Sequence, residues 1–307
     1  MTSFVQGGHN YLIPVHPDRG PDGRGRARTW DWPVNAREIA PADLRNERID
    51  LVVLQRPHEL ALTRDWTGRF PGQDVPAVYV EHNTPAGPAV KSVHPLAGQD
   101  DIPIVHVTRF NEMIWDNGRA PVTVIEHGIP DPGYGYTGHE ESVAVVVNEP
   151  VRRWRVAGTD LVARMAAEVP VDVYGMGVQE LPDQIPDVKD RVHEDVPQGE
   201  LHRILGRHRL YFHPYRWTSL GLSLLEAMTL GMPVLALATT EAPVAVPPSA
   251  GLVSNDFRVL AATARRWLAD PAEARQAGLA ARGHALGRYG LKRSLDDWDA
   301  LLKEMVR

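Results

Sequence analysis

The sequence predicts an α/β chain built from two doubly wound domains of parallel strands, and three observations predict it. At about 150 residues per domain, 307 residues make two domains. Short apolar runs alternate with helical stretches over most of the length, the pattern of parallel strands joined by crossover helices. That pattern stops once, at Pro130–Glu141, where Pro130, Pro132, Gly133, Gly135 and Gly138 leave no helical or strand period, and then restarts.

Within residues 1–130, strands are expected at Phe4-Val5, Asp50–Leu54, Ala77–Val80, Ile104–Val107 and Val122–Ile125. Residues 131–141 read as a linker. Residues 142–290 repeat the alternation: a strand at Val143–Val147, a helix at Gly158–Glu168, a strand at Val171–Tyr174, a helix at Gln198–Gly206, a strand at Arg209–His213, and a further strand–helix–strand unit through Leu220–Ala238. In residues 291–307, Leu291, Leu295, Trp298, Leu301, Leu302 and Met305 fall at helical spacing and predict a closing helix that packs back towards the first domain. Open sheets of this kind bind ligands at the carboxyl ends of their strands, so function is expected there.

Composition removes several classes of function. Cysteine is absent, which excludes disulfides, thiolate nucleophiles, iron–sulfur clusters and cysteine-based zinc sites. Thirty-nine acidic against 33 basic residues give a net charge of −6, without the basic footprint of a nucleic-acid partner. Residues Met1–Asn10 lack a basic stretch followed by an apolar one, so no secretory signal is read there. The least polar long stretch, Leu220–Val253, is interrupted by Glu226, Pro233, Glu241, Pro243, Pro247 and Pro248, whereas a bilayer span needs about 20 nearly uncharged residues. No transmembrane segment and a cytoplasmic address are expected.

The most informative run is His213-Pro-Tyr-Arg-Trp-Thr-Ser-Leu-Gly-Leu-Ser-Leu-Leu-Glu-Ala-Met-Thr-Leu-Gly-Met-Pro-Val234. It reads as a strand end, a turn, a helix opening near Leu220–Leu222, a glycine stop at Gly231 and a new strand. Thr218 or Ser219 is expected to cap the helix, and Gly221 to let a ligand approach the main chain. Unpaired amides and the helix dipole favour an anion at Ser219, Leu220, Gly221 and Leu222, such as a diphosphate, each charge interaction contributing about 0.3–1 kcal/mol. Ser219, Ser223, Glu226 and Thr229 recur at helical spacing, which is the pattern of a solvated stripe. The alternative is that this stripe faces a ligand, where the Glu226 carboxylate accepts from vicinal hydroxyls such as those of a ribose.

From Leu210 through Val253, with Gly221, Leu225-Glu226-Ala227-Met228, Gly231 and Pro233-Val234, the chain resembles the donor-binding region of family 4 glycosyltransferases of the GT-B fold. The resemblance implies two Rossmann-like domains facing each other across a cleft, a nucleotide-sugar donor, and metal-independent transfer with retention of configuration. It implies that Glu226 holds the nucleotide ribose. A second family glutamate, eight positions earlier, contacts the donor sugar or its phosphates; here Thr218 stands in its place. The family's loop after the first strand of the second domain carries an arginine and a lysine for the diphosphate. In Asn148–Asp160, Arg152 and Arg153 match the arginine within one residue, Ala157 replaces the lysine just before Gly158, and Arg155 is the expected substitute. Three arginines on one strand-end loop suit a departing diphosphate, since hydrogen bonds to charged groups contribute about 1.5–3 kcal/mol. A solvated basic loop is the alternative.

In the first domain, Phe4-Val-Gln-Gly-Gly8 reads as a strand running into a turn, and the resemblance makes Gly7 and Gly8 a floor against the donor phosphate and the acceptor. Ala77–Pro85 ends a buried strand in a polar cluster, and the family's strand-end histidine, which contacts the donor sugar, falls on His82. Val124–Ile129 resembles the strand before the family's linker, with His127 where asparagine is usual. Pro14–Glu38 departs from the family. Its customary long helix gives way to Asp18–Arg28, read as a flexible loop whose arginines at 19, 24, 26 and 28 are either solvated or touch an anionic acceptor.

Four lookalikes are set aside. Asp297-Trp298-Asp299 lies on the closing helix with its acids on different faces, and Gly175-Met-Gly177 has Glu180 where a dinucleotide fingerprint needs its third glycine. Gly221-Leu-Ser223-Leu-Leu225 lacks the second glycine of a nucleophile elbow, and His202, His208 and His213 do not have metal-ligand spacing. No metal and no cofactor are expected, the nucleoside-diphosphate sugar being a substrate. The acceptor is a small molecule, a glycan or a lipid-linked molecule that the residues do not specify. Two competing readings stand: a noncatalytic sugar-nucleotide-binding protein, marked by Thr218 and Ala157, and a sugar-nucleotide epimerase, which shares two such domains.

Overall fold

Apolar runs separated by helices pair side by side in one direction, because each helix carries the chain back to the start of the next strand. A computed structural model describes residues 2–28 and 30–306. The chain divides into two units, Met1–Gly128 with Leu291–Arg307, and Ile129–Gly290.

In the first unit, β1 (Tyr11–Pro14) and β2 (Ala36–Ile39) form a two-stranded parallel sheet. A second sheet holds β3 (Val52–Leu54), β4 (Ala77–Glu81), β5 (Ile104–His106) and β6 (Val122–Val124), parallel and in chain order. Helix α1 (Glu59–Thr67) follows β3 and α2 (Arg109–Ile114) follows β5; the Thr108 hydroxyl caps α2 by accepting from the Asn111 amide. The closing helix Leu291–Met305 packs on this unit through Trp298, which is buried with Val78, Val105 and Ile125 and lies edge-on to Phe4 at 4.9 Å.

Two expectations for this unit are corrected. Phe4-Val5 is not a strand: Phe4–Gln6 is a 3-10 turn. The Gly7 amide donates to the Phe4 carbonyl at 3.2 Å and the Tyr11 hydroxyl donates to the same oxygen at 2.8 Å, so the acceptor a neighbouring strand would need is occupied. The arginine-rich stretch is tied down, not free. Arg19 grips Glu38 with two bonds of 2.9 and 3.0 Å, the Arg26 amide donates to Glu38 at 2.8 Å, and the Arg26 guanidinium donates to the Trp32 carbonyl. Arg24 and Arg28 remain exposed.

The second unit holds β7 (Glu140–Val146), β8 (Val171–Gly175), β9 (Val192–Glu194), β10 (His208–His213), β11 (Val234–Ala236) and β12 (Gly251–Val253). They form one parallel sheet in the order β12-β11-β10-β7-β8-β9. Around it run α3 (Trp154–Ala157), α4 (Thr159–Ala166), α5 (Gln198–Leu205), α6 (Leu222–Leu230), α7 (Ala242–Ala245), α8 (Phe257–Ala269) and α9 (Pro271–Tyr289). Period-two burial divides the layers. Val143, Val145, Leu210 and Phe212 pack with α4 and α8, whereas Ala144, Tyr174 and Tyr211 pack with α5, α6 and α9. The helix expected at Gly158–Glu168 is α4; a further turn, α3, precedes it, and Gly158 at φ +75° separates the two.

Residues 130–139 have no regular structure yet pack on the second unit. Tyr136 is buried there, and its hydroxyl donates to the Arg209 carbonyl at 2.9 Å. Among the described residues, no helix is long and apolar enough to cross a membrane.

Candidate functional site

Strand order in the second unit reverses between β7 and β10, so the loops leaving their carboxyl ends turn to opposite faces and open a crevice, the usual ligand position in such sheets. The backbone marks the same edge. Four non-glycine residues have positive φ among the described residues, and three of them, Glu149, Asp195 and Thr240, lie in the loops after β7, β9 and β11. Such conformations cost about 1–3 kcal/mol each and cluster at ligand sites.

Helix α6 opens at the end of the β10 loop. Its N-cap is Gly221, without a side-chain capping bond, so Thr218 and Ser219 do not occupy the capping position expected of them. Gly221 itself has ordinary angles, φ −70° and ψ 123°. A side chain there would collide with the His213 ring, so the glycine makes room for that histidine. Burial pushes the His213 imidazole down to about 3, leaving it neutral, and its ring lies 4.8 Å from that of Tyr215.

The solvated-stripe alternative fails for α6. Glu226 is 8% exposed, Ser219 3% and Thr229 1%, and the Thr229 hydroxyl donates to the Leu225 carbonyl at 2.7 Å. Leu222 is the exposed residue at the helix start. A buried carboxylate requires polar company. His202 of α5 stands nearby, with Nε2 3.7 Å from Glu226 Oε2, and that ring nitrogen accepts from the Gln198 amide at 2.7 Å. Gln198, His202 and Glu226 come from two helices, so the spacing of histidines in the sequence carries no signal of this contact.

The arginines of the β7 loop fare differently from one another. Arg152 is exposed and paired with Glu149, Nε donating to Oε1 at 3.0 Å. Arg155 is exposed and donates to Asp160 at 2.6 Å. Arg153 is half-buried over the Tyr215 ring, its guanidinium carbon 5.7 Å from the centre. Burial raises the Tyr215 hydroxyl above its ordinary pKa, and Arg153 pulls it back.

Two residues of this edge that carried no role in the sequence reading are Arg216 and Asp160. Arg216 donates to both oxygens of Asp160, at 2.6 and 2.8 Å, and to the Arg155 carbonyl at 3.0 Å. The Arg216 amide donates to the Val156 carbonyl at 3.0 Å. Gly158 lies so close to the Pro214 carbonyl that no side chain fits between them. Residues 148–160 and 213–217 therefore form one cross-linked structure. Burial alone would raise the Asp160 carboxyl, but the Arg216 bonds and the charges of Arg216 and Arg155 outweigh it and hold the group below its ordinary value. Asp160 and Arg216 are 56 residues apart, a separation at which no spacing rule operates.

The remaining expected residues lie in the first unit. Gly7 and Gly8 follow the 3-10 turn; a side chain at Gly7 would meet the Tyr11 hydroxyl, whereas Gly8 is exposed with nothing within 4 Å. His82 is exposed just beyond β4, with enough protein around its ring to lower its pKa, an effect the Glu81 charge opposes. Its turn is built on buried groups. Glu81 accepts from the Asn83 amide at 2.6 Å and lies 3.3 Å from His94, while Asn111 and Trp115 donate to the Asn83 carbonyl at 3.2 and 2.9 Å. His127 is electrostatically coupled to His82, and burial, reinforced by positive neighbours including Arg293, pushes it down to about 3.

Among the described residues, no group of three histidine, aspartate or glutamate side chains could hold a metal ion. Two hollows of about 440 and 370 Å³ open at the amino ends of the second sheet, the first beside Arg209 and Arg265, the second beside Thr263 and Trp267. The Arg209 guanidinium is bonded to the Gly138, Trp267 and Leu268 carbonyls, so it staples the fold.

Residues 188–284 match the profile of the glycosyl transferases, group 1. That span contains His202, Arg216, Thr218–Leu222 and Glu226 but leaves the β7 loop outside. No curated protein matches the chain in sequence. Among solved structures, sucrose-phosphate synthase from Thermosynechococcus elongatus aligns at 17% identity over 83% of this chain and 73% of its own, with a TM-score of 0.65. HepE from Anabaena in complex with UDP-glucose aligns at 16% identity over 83% of this chain and 79% of its own, with a TM-score of 0.65. TarM from S. aureus, in complex with fondaparinux, alpha-GlcNAc-glycerol and UDP, aligns at 14% identity over 82% of this chain and 55% of its own, with a TM-score of 0.67. At such identities the likeness is one of fold. The chain thus has the parallel α/β fold of GT-B glycosyltransferases, and its residues 188–284 carry the sequence pattern of glycosyl transferases, group 1.

Proposed function

We propose that this protein is a glycosyltransferase that moves a sugar from a nucleoside-diphosphate sugar to an acceptor, with retention of configuration and without a metal ion. One observation carries the reading: within the matched span, a buried acid, Glu226, stands on the helix that opens at the reversal point of a parallel sheet. A carboxylate held out of water binds vicinal hydroxyls strongly, and the ribose of a nucleotide presents such a pair.

In this reading Glu226 accepts from the ribose hydroxyls. The amides of Ser219, Leu220, Gly221 and Leu222 and the guanidinium of Arg153 face the diphosphate, with Thr218 donating one uncharged hydrogen bond. Arg152 and Arg155 contribute only after leaving Glu149 and Asp160, so Arg153 is the principal cation. Donors fixed where negative charge develops on the departing diphosphate supply the main catalytic effect. The diphosphate takes the acceptor proton, and no pair of carboxylates is needed, unlike glycoside hydrolysis.

The test is a melting and calorimetric screen of UDP, GDP, ADP and CDP and their sugars. UDP stands first, as a ligand in the HepE and TarM structures. A binding diphosphate at a hundredfold excess over its Kd stabilises the fold by about 2.7 kcal/mol. No shift with any of them defeats the proposal. Thr218 and Ala157, uncharged where relatives of the resembled family carry charge, favour a second reading, a binder without turnover. Incubation with the bound donor separates the two, because only an enzyme releases nucleoside diphosphate.

A further inference from the structure

Asp160 lies in the first turn of α4, and its carboxylate is the meeting point of two guanidiniums, those of Arg155 and Arg216. Arg216 binds it in a two-pronged fork, Arg155 binds one oxygen, and all of Asp160 and Arg216 but about a quarter of each side chain is buried. Geometry of this kind differs from an ordinary exposed ion pair, which fixes little. Removing the carboxylate would leave two cations beside each other, and they would move apart. The Arg216 main chain, bonded to Val156, and Tyr215, lying under Arg153, would move with them.

We infer that Asp160 is a positioning residue for diphosphate recognition: through Arg216 it holds the β10 loop against the β7 loop, and so sets where Arg153 and the start of α6 stand relative to one another. The inference rests on the donor-site reading given above. It also assigns Arg155 and Arg216 chiefly to this junction, leaving Arg153 to meet the ligand. Groups that are already ordered bind without the loss of freedom that mobile side chains suffer, and a displacement of about 1 Å can cost a hundredfold in such sites.

The test compares affinity for the best-binding nucleoside diphosphate of the panel with affinity for its parent nucleoside, in wild type, Asp160→Asn, Arg216→Lys and the double variant. Asp160→Asn is expected to weaken the diphosphate about tenfold while the nucleoside changes less than about twofold. Arg216→Lys, which keeps the charge but loses the fork, should fall between, and the double variant should be no worse than Asp160→Asn. A variant that only weakens the fold lowers both affinities together, so an unchanged ratio in Asp160→Asn and Arg216→Lys overturns the inference. A wild type that binds no diphosphate overturns the donor-site reading itself, and a wild type that binds with unaltered variants overturns only the role of Asp160.

Discussion

In the first unit, β3 to β6 follow one another across the sheet in chain order; in the second, the chain starts at β7 and works outwards first one way and then the other. The consequence shows in how the strand-end loops are held. The His82 turn is braced by its own neighbours, Glu81 and Asn83, together with Asn111 and Trp115, and the arginine stretch by Glu38 only 19 residues from Arg19. At the reversal point, by contrast, loops far apart in the chain are welded by Asp160, Arg216, Gly158 and Pro214. A reversal leaves two loops beside each other with no crossover helix between them, and that arrangement builds a site from distant residues.

Glycine substitutions should expose the contrast most strongly. Gly158→Ala must place a Cβ at φ +75° against the Pro214 carbonyl, and should cost about 3 kcal/mol or more in urea unfolding. Gly8→Ala, with open space around it, should cost less than about 0.5 kcal/mol. Equal losses would erase the distinction. Next comes Glu226→Ala, expected to weaken nucleoside-diphosphate binding about 10–100-fold by calorimetry without loss of fold, as removal of a charged hydrogen-bonding group does. Among the arginines, Arg153→Ala should lower turnover about tenfold and Arg152→Ala less than about threefold, because Arg152 is exposed and already paired. The reverse ranking would show that Arg152 is the ligand contact.

Acid melting provides the smallest and most selective comparison. Asp160 titrates below its ordinary value of 3.8 in the folded state. Its contribution is therefore present above the unfolded value and lost as pH falls through the lower folded one. Asp160→Asn should flatten the fall in melting temperature below about pH 4. In the first unit, Arg19→Ala should move the neutral-pH melting temperature by less than about 2 °C, since both Arg19 and Glu38 keep contact with water.

Sequence patterns reached the sheets well wherever a buried strand contains a continuous apolar run, as at Ala77–Val80 and Val143–Val146. They failed where a polar contact decides. Phe4-Val5 has strand composition, but the Tyr11 hydroxyl takes the Phe4 carbonyl. Asp18–Arg28 has the composition of a loose loop, but Glu38 organises it. The burial of Glu226 was legible only through the resemblance, because spacing alone could not tell a ligand-facing stripe from a wet one. The contact of Gly221 with the His213 ring could not be read from local rules, because that ring is eight residues away in the chain. Asp160 and Arg216 belong to two different stretches of sequence, and only the folded chain brings them together.

Ile129 and Gly290, the first and last residues of the second unit, form a parallel bridge, and the Ile129 amide donates to the Tyr289 carbonyl at 2.8 Å. This stretch of chain thus leaves from the place where it entered. A segment whose ends adjoin behaves as a cassette: it can be excised, rejoined through a short peptide and reopened elsewhere without crossing its own sheet. The second unit is thus one uninterrupted block of chain, whereas the first, whose sequence is interrupted by that block, cannot be cut out in one piece.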